Sequence, residues 1–307
     1  MHRYITSRIF FLLPTLWGVV TAVFLVIHLI PGDPVEAMLG ETAMAAEKEA
    51  LRHELGLDRP ILAQYGVYLA GLARGDLGDS IATRRPVFAE IAARWPATVE
   101  LAVAALLLAA ITAVPLGVLA AARRGGALDS ATLFFSLIGA AVPSFWLGPL
   151  LIIVFSIGLA WLPVSGRDGA ASIILPAVTL GAGMAAILLR LTRSAVLEAA
   201  ADDYVRAARA RGLPERMVYL KHALGNALLP VVTVMGLQLG ALLSGAVITE
   251  TIFSWPGVGR LMIEAIEKRD YPVVQGCVLN IALCYVFVNF AVDIFYAWLD
   301  PRIRLER

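Results

Sequence analysis

Six apolar runs, each about 20 to 29 residues long, constrain this chain more than any other feature, because roughly 20 apolar residues in a helix cross a 30 Å hydrocarbon core. They occupy 9–30, 97–121, 132–159, 172–191, 229–252 and 274–299. A bilayer offers no water to the backbone, so runs of this kind must satisfy their amides internally as helices. An all-α membrane protein with six spans is therefore expected. The composition agrees, since 59% hydrophobic and only 16% charged residues fall outside the mix of a soluble domain. A formal net charge of +1 implies no strongly basic face and argues against a general nucleic-acid binder. Cys277 and Cys284 lie on one face of the last run, two turns apart, and cannot bridge each other. The first run is long enough to span and is expected to remain as an anchor.

An even number of spans puts both termini on one side, and positive charge identifies it. Lys and Arg number 13 in the segments before the first run, after the last, and in the second and fourth connections, against 4 in the third and fifth. Both termini are thus expected in the cytoplasm. The chain divides into an N-terminal segment and first span (1–30), a long extracytoplasmic loop (31–96) and a five-helix core (97–307). Residues 43–55 have a helical mix of Ala, Glu, Lys and Leu, and 61–73 repeat apolar residues at three and four, which predicts two surface helices in the long loop. Such helices could rest on the bilayer, form a docking site, or do both.

The cytoplasmic connection 192–228 is far longer than two neighbouring helices need. Leu197, Ala200, Ala201, Tyr204, Ala207 and Ala208 recur at helical spacing, with Asp202, Arg206 and Arg209 on another face. Gly212 supplies a left-handed cap and Pro214 suits the first turn of a second helix, which makes a helix-Gly-helix elbow. Periodicity alone leaves two roles open. Its alanine stripe would let another protein's backbone approach closely, or its arginines would meet anionic lipid.

Arg206-Ala207-Ala208 followed by Gly212 resembles the Glu-Ala-Ala loop of binding-protein-dependent ABC importer permeases. The longer stretch DYVRAARARGLPERMVYLKHALGNALLPVVTVMGLQLG is similar to the dipeptide, oligopeptide, nickel and glutathione branch, the B-type peptide permeases. Three more blocks match it in order: HLIPGDPV, RGDLGDSI and ETIFSWPGVGRLMIEAIEKRDYPVVQG. The chain departs from the general loop at Arg206, where many members have Glu, and at Gly225, where many have Pro. The resemblance implies the type I importer permease fold, with a coupling helix between the fourth and fifth spans in the bacterial inner membrane. It implies four partners: a homologous second permease, two cytoplasmic ATPase subunits that hold ATP and Mg, and an extracytoplasmic substrate-binding protein. Tyr204, Val205, Arg206, Ala207, Ala208, Gly212 and Leu213 would then couple to an ATPase. Trp255, Pro256, Gly257 and Arg260, in the connection 253–273, would contact the binding protein or gate the pathway; read without the resemblance, this Trp beside Pro and Gly is an interfacial anchor. The wording of GDPVEAML, TETIFSWPG and KRDYPVVQG favours small peptides, with nickel and glutathione as alternatives.

Chemistry within this chain itself is not expected. No Gly-rich phosphate loop ending in Lys-Ser or Lys-Thr occurs, nor Gly-x-Ser-x-Gly, and His2, His28, His53 and His222 show no metal-ligand spacing. No cofactor, catalytic residue or metal is therefore assigned. A self-sufficient secondary transporter would need ionisable groups at membrane depth, and these are sparse. Asp293 lies only about 9 Å from the end of its run, while Glu250 and Arg190 sit at run ends, from which both are expected to reach the interface. Gln238, Asn280 and Asn289 could glue helices or line a path.

Overall fold

The computed structural model describes residues 2–29, 34–39, 43–54 and 56–299, which form helices and connections with no strand among them. Helix α1 (His2–Leu29) carries Pro14 within it, and the Thr15 and Thr21 hydroxyls donate back to the carbonyls of Phe11 and Trp17. Three short helices follow: α2 (Pro34–Leu39), α3 (Ala45–Glu54) and α4 (Ile61–Ala73). α4 rests on α1 through aromatic faces. Tyr65 and Tyr68 lie 5.1 and 5.5 Å from the Phe24 ring, and the Tyr65 and Thr21 hydroxyls are 2.6 Å apart. α4 of the long loop thus packs against α1, while half of the block HLIPGDPV, residues 30–33, lies outside the described residues.

Helix α5 (Val87–Ala122) begins ten residues before the apolar run that announces it, so the boundary expected at 96 falls inside a helix. Pro96 is accommodated there at the loss of one backbone hydrogen bond. The third run is not one straight span. It forms α6 (Ala127–Ala141) and α7 (Ser144–Leu151), the latter extended by a π-wound stretch at Ile152–Gly158, and the two parts are bent by 103°. Proline explains the break: Pro143 has no N–H to give and drives Val142 out of the helical region, to ψ 117°.

Helix α8 (Ile174–Ala201) likewise runs ten residues beyond its apolar run. It is followed by α9 (Asp203–Ala210) and α10 (Glu215–Met217), which leads through a second π-wound stretch, Val218–Ala223, into α11 (Leu224–Gly245). α12 (Val247–Ile252), α13 (Val258–Glu267) and α14 (Tyr271–Leu299) complete the chain. Among the described residues, four helical stretches are long and apolar enough to cross a membrane: Val87–Ala122, Ile174–Ala201, Glu215–Leu243 and Tyr271–Phe295. The bent α6–α7 pair makes a fifth if counted as one, and α1 contributes the apolar stretch Phe10–Leu25.

The core is the seam between α5 and α8. Ala102, Ala105, Ala109 and Ala113 recur at helical spacing on α5 and are buried against Met184, Leu188 and Leu189 of α8. Glycines let the backbones close: a Cβ on Gly181 would sit 2.8 Å from the Ala105 carbonyl, and one on Gly117 would sit 2.7 Å from the Thr192 Cβ. Close small-residue packing is how helices associate where lipid removes the hydrophobic incentive. α11 joins this seam with Val231, Leu242 and Leu243, and α14 packs outside it, with α1 against α14.

Candidate functional site

Two polar assemblies occupy opposite ends of α8. Ala177 and Ala201 mark these ends, about 36 Å apart at 1.5 Å per residue. At the C-terminal end, α8 stops at Ala201 because Asp202 is extended, with ψ 153°, and its carbonyl starts α9 by accepting the Val205 and Arg206 amides. The single amphipathic helix read from Leu197 to Arg209 is therefore two helices with a corner at Asp202. An acidic pair at a new helix start is favoured by the helix dipole. Gly212 ends α9 at φ +77°, as a left-handed cap, and donates to the Arg209 carbonyl at 2.9 Å. Pro214 lies just before α10 rather than in its first turn.

The residues expected on the coupling surface divide into two sets. Val205 and Ala208 are buried, turned into the angle between α9 and the helices that flank it, so they cannot touch a partner. Tyr204, Arg206, Ala207 and Gly212 are exposed, and Leu213 is partly so. Arg206 pairs with Asp203 on the open face. Arg209 holds the elbow's angle: it donates to the Ala200 carbonyl at 3.1 Å and to Glu215 at 2.9 Å, and lies over the Tyr219 ring at 5.8 Å. Nearby, Arg193 of α8 grips Asp129 of α6 with two hydrogen bonds of 2.5 and 2.8 Å, and the Gly125 amide adds a third at 2.9 Å. This ion pair ties the broken third element to the helix that leads into the elbow.

At the other end, the segment after α12 folds inward. Trp255 is fully buried with Ala97, Leu101 and Ala177, and its Nε1–H donates to the Ala97 carbonyl at 2.7 Å. It is not an exposed interfacial anchor. Gly257 is buried, Pro256 is partly so, and Arg260 turns back, donating to the Ser254 carbonyl at 2.6 Å and pairing with Glu264 at 2.8 Å. Glu250, expected to reach the interface, is fully buried and accepts from Thr98 at 2.7 Å and from the Arg260 amide at 3.0 Å. Hydropathy read this Glu as the end of a span, whereas its partner lies 152 positions away on α5. Asp270 was also unread: it is buried and accepts from the Ser80 hydroxyl at 2.6 Å and the Ile81 and Ala82 amides at 3.1 Å each. The only sequence signal was that RGDLGDSI and the stretch around KRDYP are both rich in turn formers and charge.

Gln238, Asn280 and Asn289 are each partly buried on α11 and α14. The side-chain oxygens of Asn280 and Asn289 meet no hydrogen-bond donor among the described residues. Asn289 and Asp293 line a groove of about 220 Å³ with Phe11, Thr15 and Tyr285, between α1 and α14. Arg190 is exposed, but it lies within α8, eleven residues before the helix ends, and not at its end. Among the described residues no three His, Cys, Asp or Glu side chains come together as a metal site.

Residues 113–305 match the family described as the inner membrane component of binding-protein-dependent transport systems, and 1–102 match the N-terminal region of such membrane components. The chain is 46% identical to a di/tripeptide transport system permease protein of Pseudomonas aeruginosa and 44% identical to a dipeptide transport system permease protein of Escherichia coli K12, in both cases over the whole of each chain. It is 43% identical, again end to end, to a glutathione transport system permease protein of Escherichia coli.

Proposed function

The chain belongs to the family of inner-membrane components of binding-protein-dependent transport systems, and we propose that it forms half of the pathway by which an ABC importer carries di- and tripeptides into the cell. A permease subunit of this kind contributes helices and a docking surface, while nucleotide chemistry resides in separate subunits. The reading gives it a homologous second permease, two ATPases that hold ATP and Mg, and an extracytoplasmic binding protein. Six crossings are proposed, with α1 as the first and the bent α6–α7 pair as the third.

The observation that carries the mechanism is the elbow. α9 is an eight-residue helix held at a fixed angle by Arg209, the Asp202 corner and the Gly212 cap, and it leaves Tyr204, Arg206 and Ala207 exposed. A rigid projection with an open face that carries an aromatic ring, a charge and a small residue suits insertion into a cleft of another protein, and its attachment to α8 would pass any displacement into the α5–α8 seam. At the far end, the buried Trp255 turn fits a gate that closes the pathway. Gln238, Asn280 and Asn289 are proposed as packing or pathway residues.

Reconstitution with the cognate ATPases and binding protein tests the whole reading. ATP-dependent uptake of a labelled dipeptide, competed by unlabelled di- and tripeptides, supports it. Competition by glutathione alone would move the substrate to the glutathione branch, and uptake without the ATPases would overturn it.

A further inference from the structure

The gate reading leaves open what holds α13 in place, and buried carboxylates stand at both of its ends. The first amides of any helix have no partner inside it. In α13 these are met from outside: the Val258 amide donates to the Thr98 hydroxyl at 2.9 Å and the Arg260 amide to Glu250 at 3.0 Å, while the Thr98 hydroxyl itself donates to the other Glu250 oxygen at 2.7 Å. One carboxylate therefore joins α12, the start of α13 and the wall of α5. The fit is tight, because a Cβ on Gly257 would land on the Glu250 carboxylate and one on Gly259 would sit 2.6 Å from the Val247 Cα. Past the end of α13, Asp270 fastens the chain to residues 80–82 in the same manner. Beneath α13 lies Cys277, fully buried with Val87, Ile91, Val258, Leu261 and Ala265.

We infer that Glu250 is a positioning residue that seats α13 on α5 through Thr98, and that import requires this seat. The inference rests on reading residues 253–260 as part of the gate. An apolar side chain could fill the space, yet it could not receive the Thr98 hydroxyl and an amide at once, and losing the acceptor leaves buried donors without partners. α13 would then lift, and the pathway would leak or stall while the elbow at the far end of α8 still engaged the ATPases.

Cys277 reports the seat directly. The chain has 2 cysteines, so in a Cys284→Ala background Cys277 is its single thiol, followed in the assembled complex by mass after reaction with membrane-permeant N-ethylmaleimide. Glu250→Gln and Thr98→Val should assemble with the ATPases and hydrolyse ATP, label Cys277 about tenfold faster than the parent, and lose about nine-tenths of dipeptide uptake. Thr98→Ser should keep Cys277 protected and import normally. Protection of Cys277 in Glu250→Gln despite lost import would overturn the inference, as would exposure with import intact. Should Glu250→Gln fail to assemble, Thr98→Val decides; failure of both would make the seat a folding requirement and end the proposal. Absence of peptide uptake in the parent would instead count against the transport reading, and the Cys277 result would stand apart from it.

Discussion

Ala207 and Ala208 have the same side chain and opposite surroundings, since Ala207 is exposed on α9 and Ala208 is packed inward beside Val205. The difference predicts different failures. Ala208→Glu forces a carboxylate into a site with no partner and should cost several kcal/mol, seen as loss of the chain from membranes. Ala207→Glu should change stability by no more than about 0.5 kcal/mol, so the chain persists while co-purification of the ATPases falls. An elbow that merely lies on lipid would retain its ATPases in Ala207→Glu. The Asp129–Arg193 pair gives a second test, because Asp129→Ala leaves a partly buried guanidinium without its carboxylate and should cost about 1 to 3 kcal/mol. The double variant Asp129→Leu, Arg193→Met should recover most of the lost thermal stability in detergent; no recovery would mean that the pair's packing, not its charge, matters. Neither this pair nor that of Glu250 with Thr98 was legible in the sequence. Glu250 reads as a span end by hydropathy and Asp129 as one more charge in a connection between runs, and only the fold reveals the hydroxyl, amide or guanidinium that lets each be buried.

Among the elements, the apolar runs were legible because a spanning helix needs length and little else. Their ends were not, since α5 and α8 each extend ten residues into segments with charged residues such as Arg94 and Arg193, where packing rather than hydropathy sustains the helix. The break at Val142–Pro143 carried a proline signal that was masked by the apolar residues on both sides. Gly212 was legible for a stated reason: a residue that must adopt φ +77° is best a glycine. That predicts a graded series. Gly212→Val should strain the cap by about 1 to 2 kcal/mol, tilt α9, and raise the ATP hydrolysed per peptide imported, while Gly212→Asn should stay near the parent ratio because Asn tolerates the left-handed region. Equal ratios in all three would show that the cap does not set the elbow's angle.

For the whole molecule, the two assemblies at opposite ends of α8 fix a polarity that can be measured. The ends are about 36 Å apart and a hydrocarbon core is about 30 Å thick, so the elbow and the Trp255 turn must face different compartments if α8 spans. Positive charge then chooses between the two orientations: the connection that contains the elbow belongs to the set with 13 Lys and Arg, and the Trp255 connection to the set with 4. Glu47, on α3 in the long first loop, should share the side of the Trp255 turn. Single cysteines at Glu47 and Ala207, in a background without Cys284, should therefore label from opposite sides, with buried Cys277 silent. An impermeant thiol reagent should reach Glu47→Cys in intact spheroplasts and leave Ala207→Cys untouched. Inverted vesicles should reverse the pattern, and bound ATPases should shield Ala207→Cys there. Labelling of both positions from one side would break the six-crossing arrangement, and labelling of Ala207→Cys in spheroplasts would place the elbow where no ATP-hydrolysing partner could meet it.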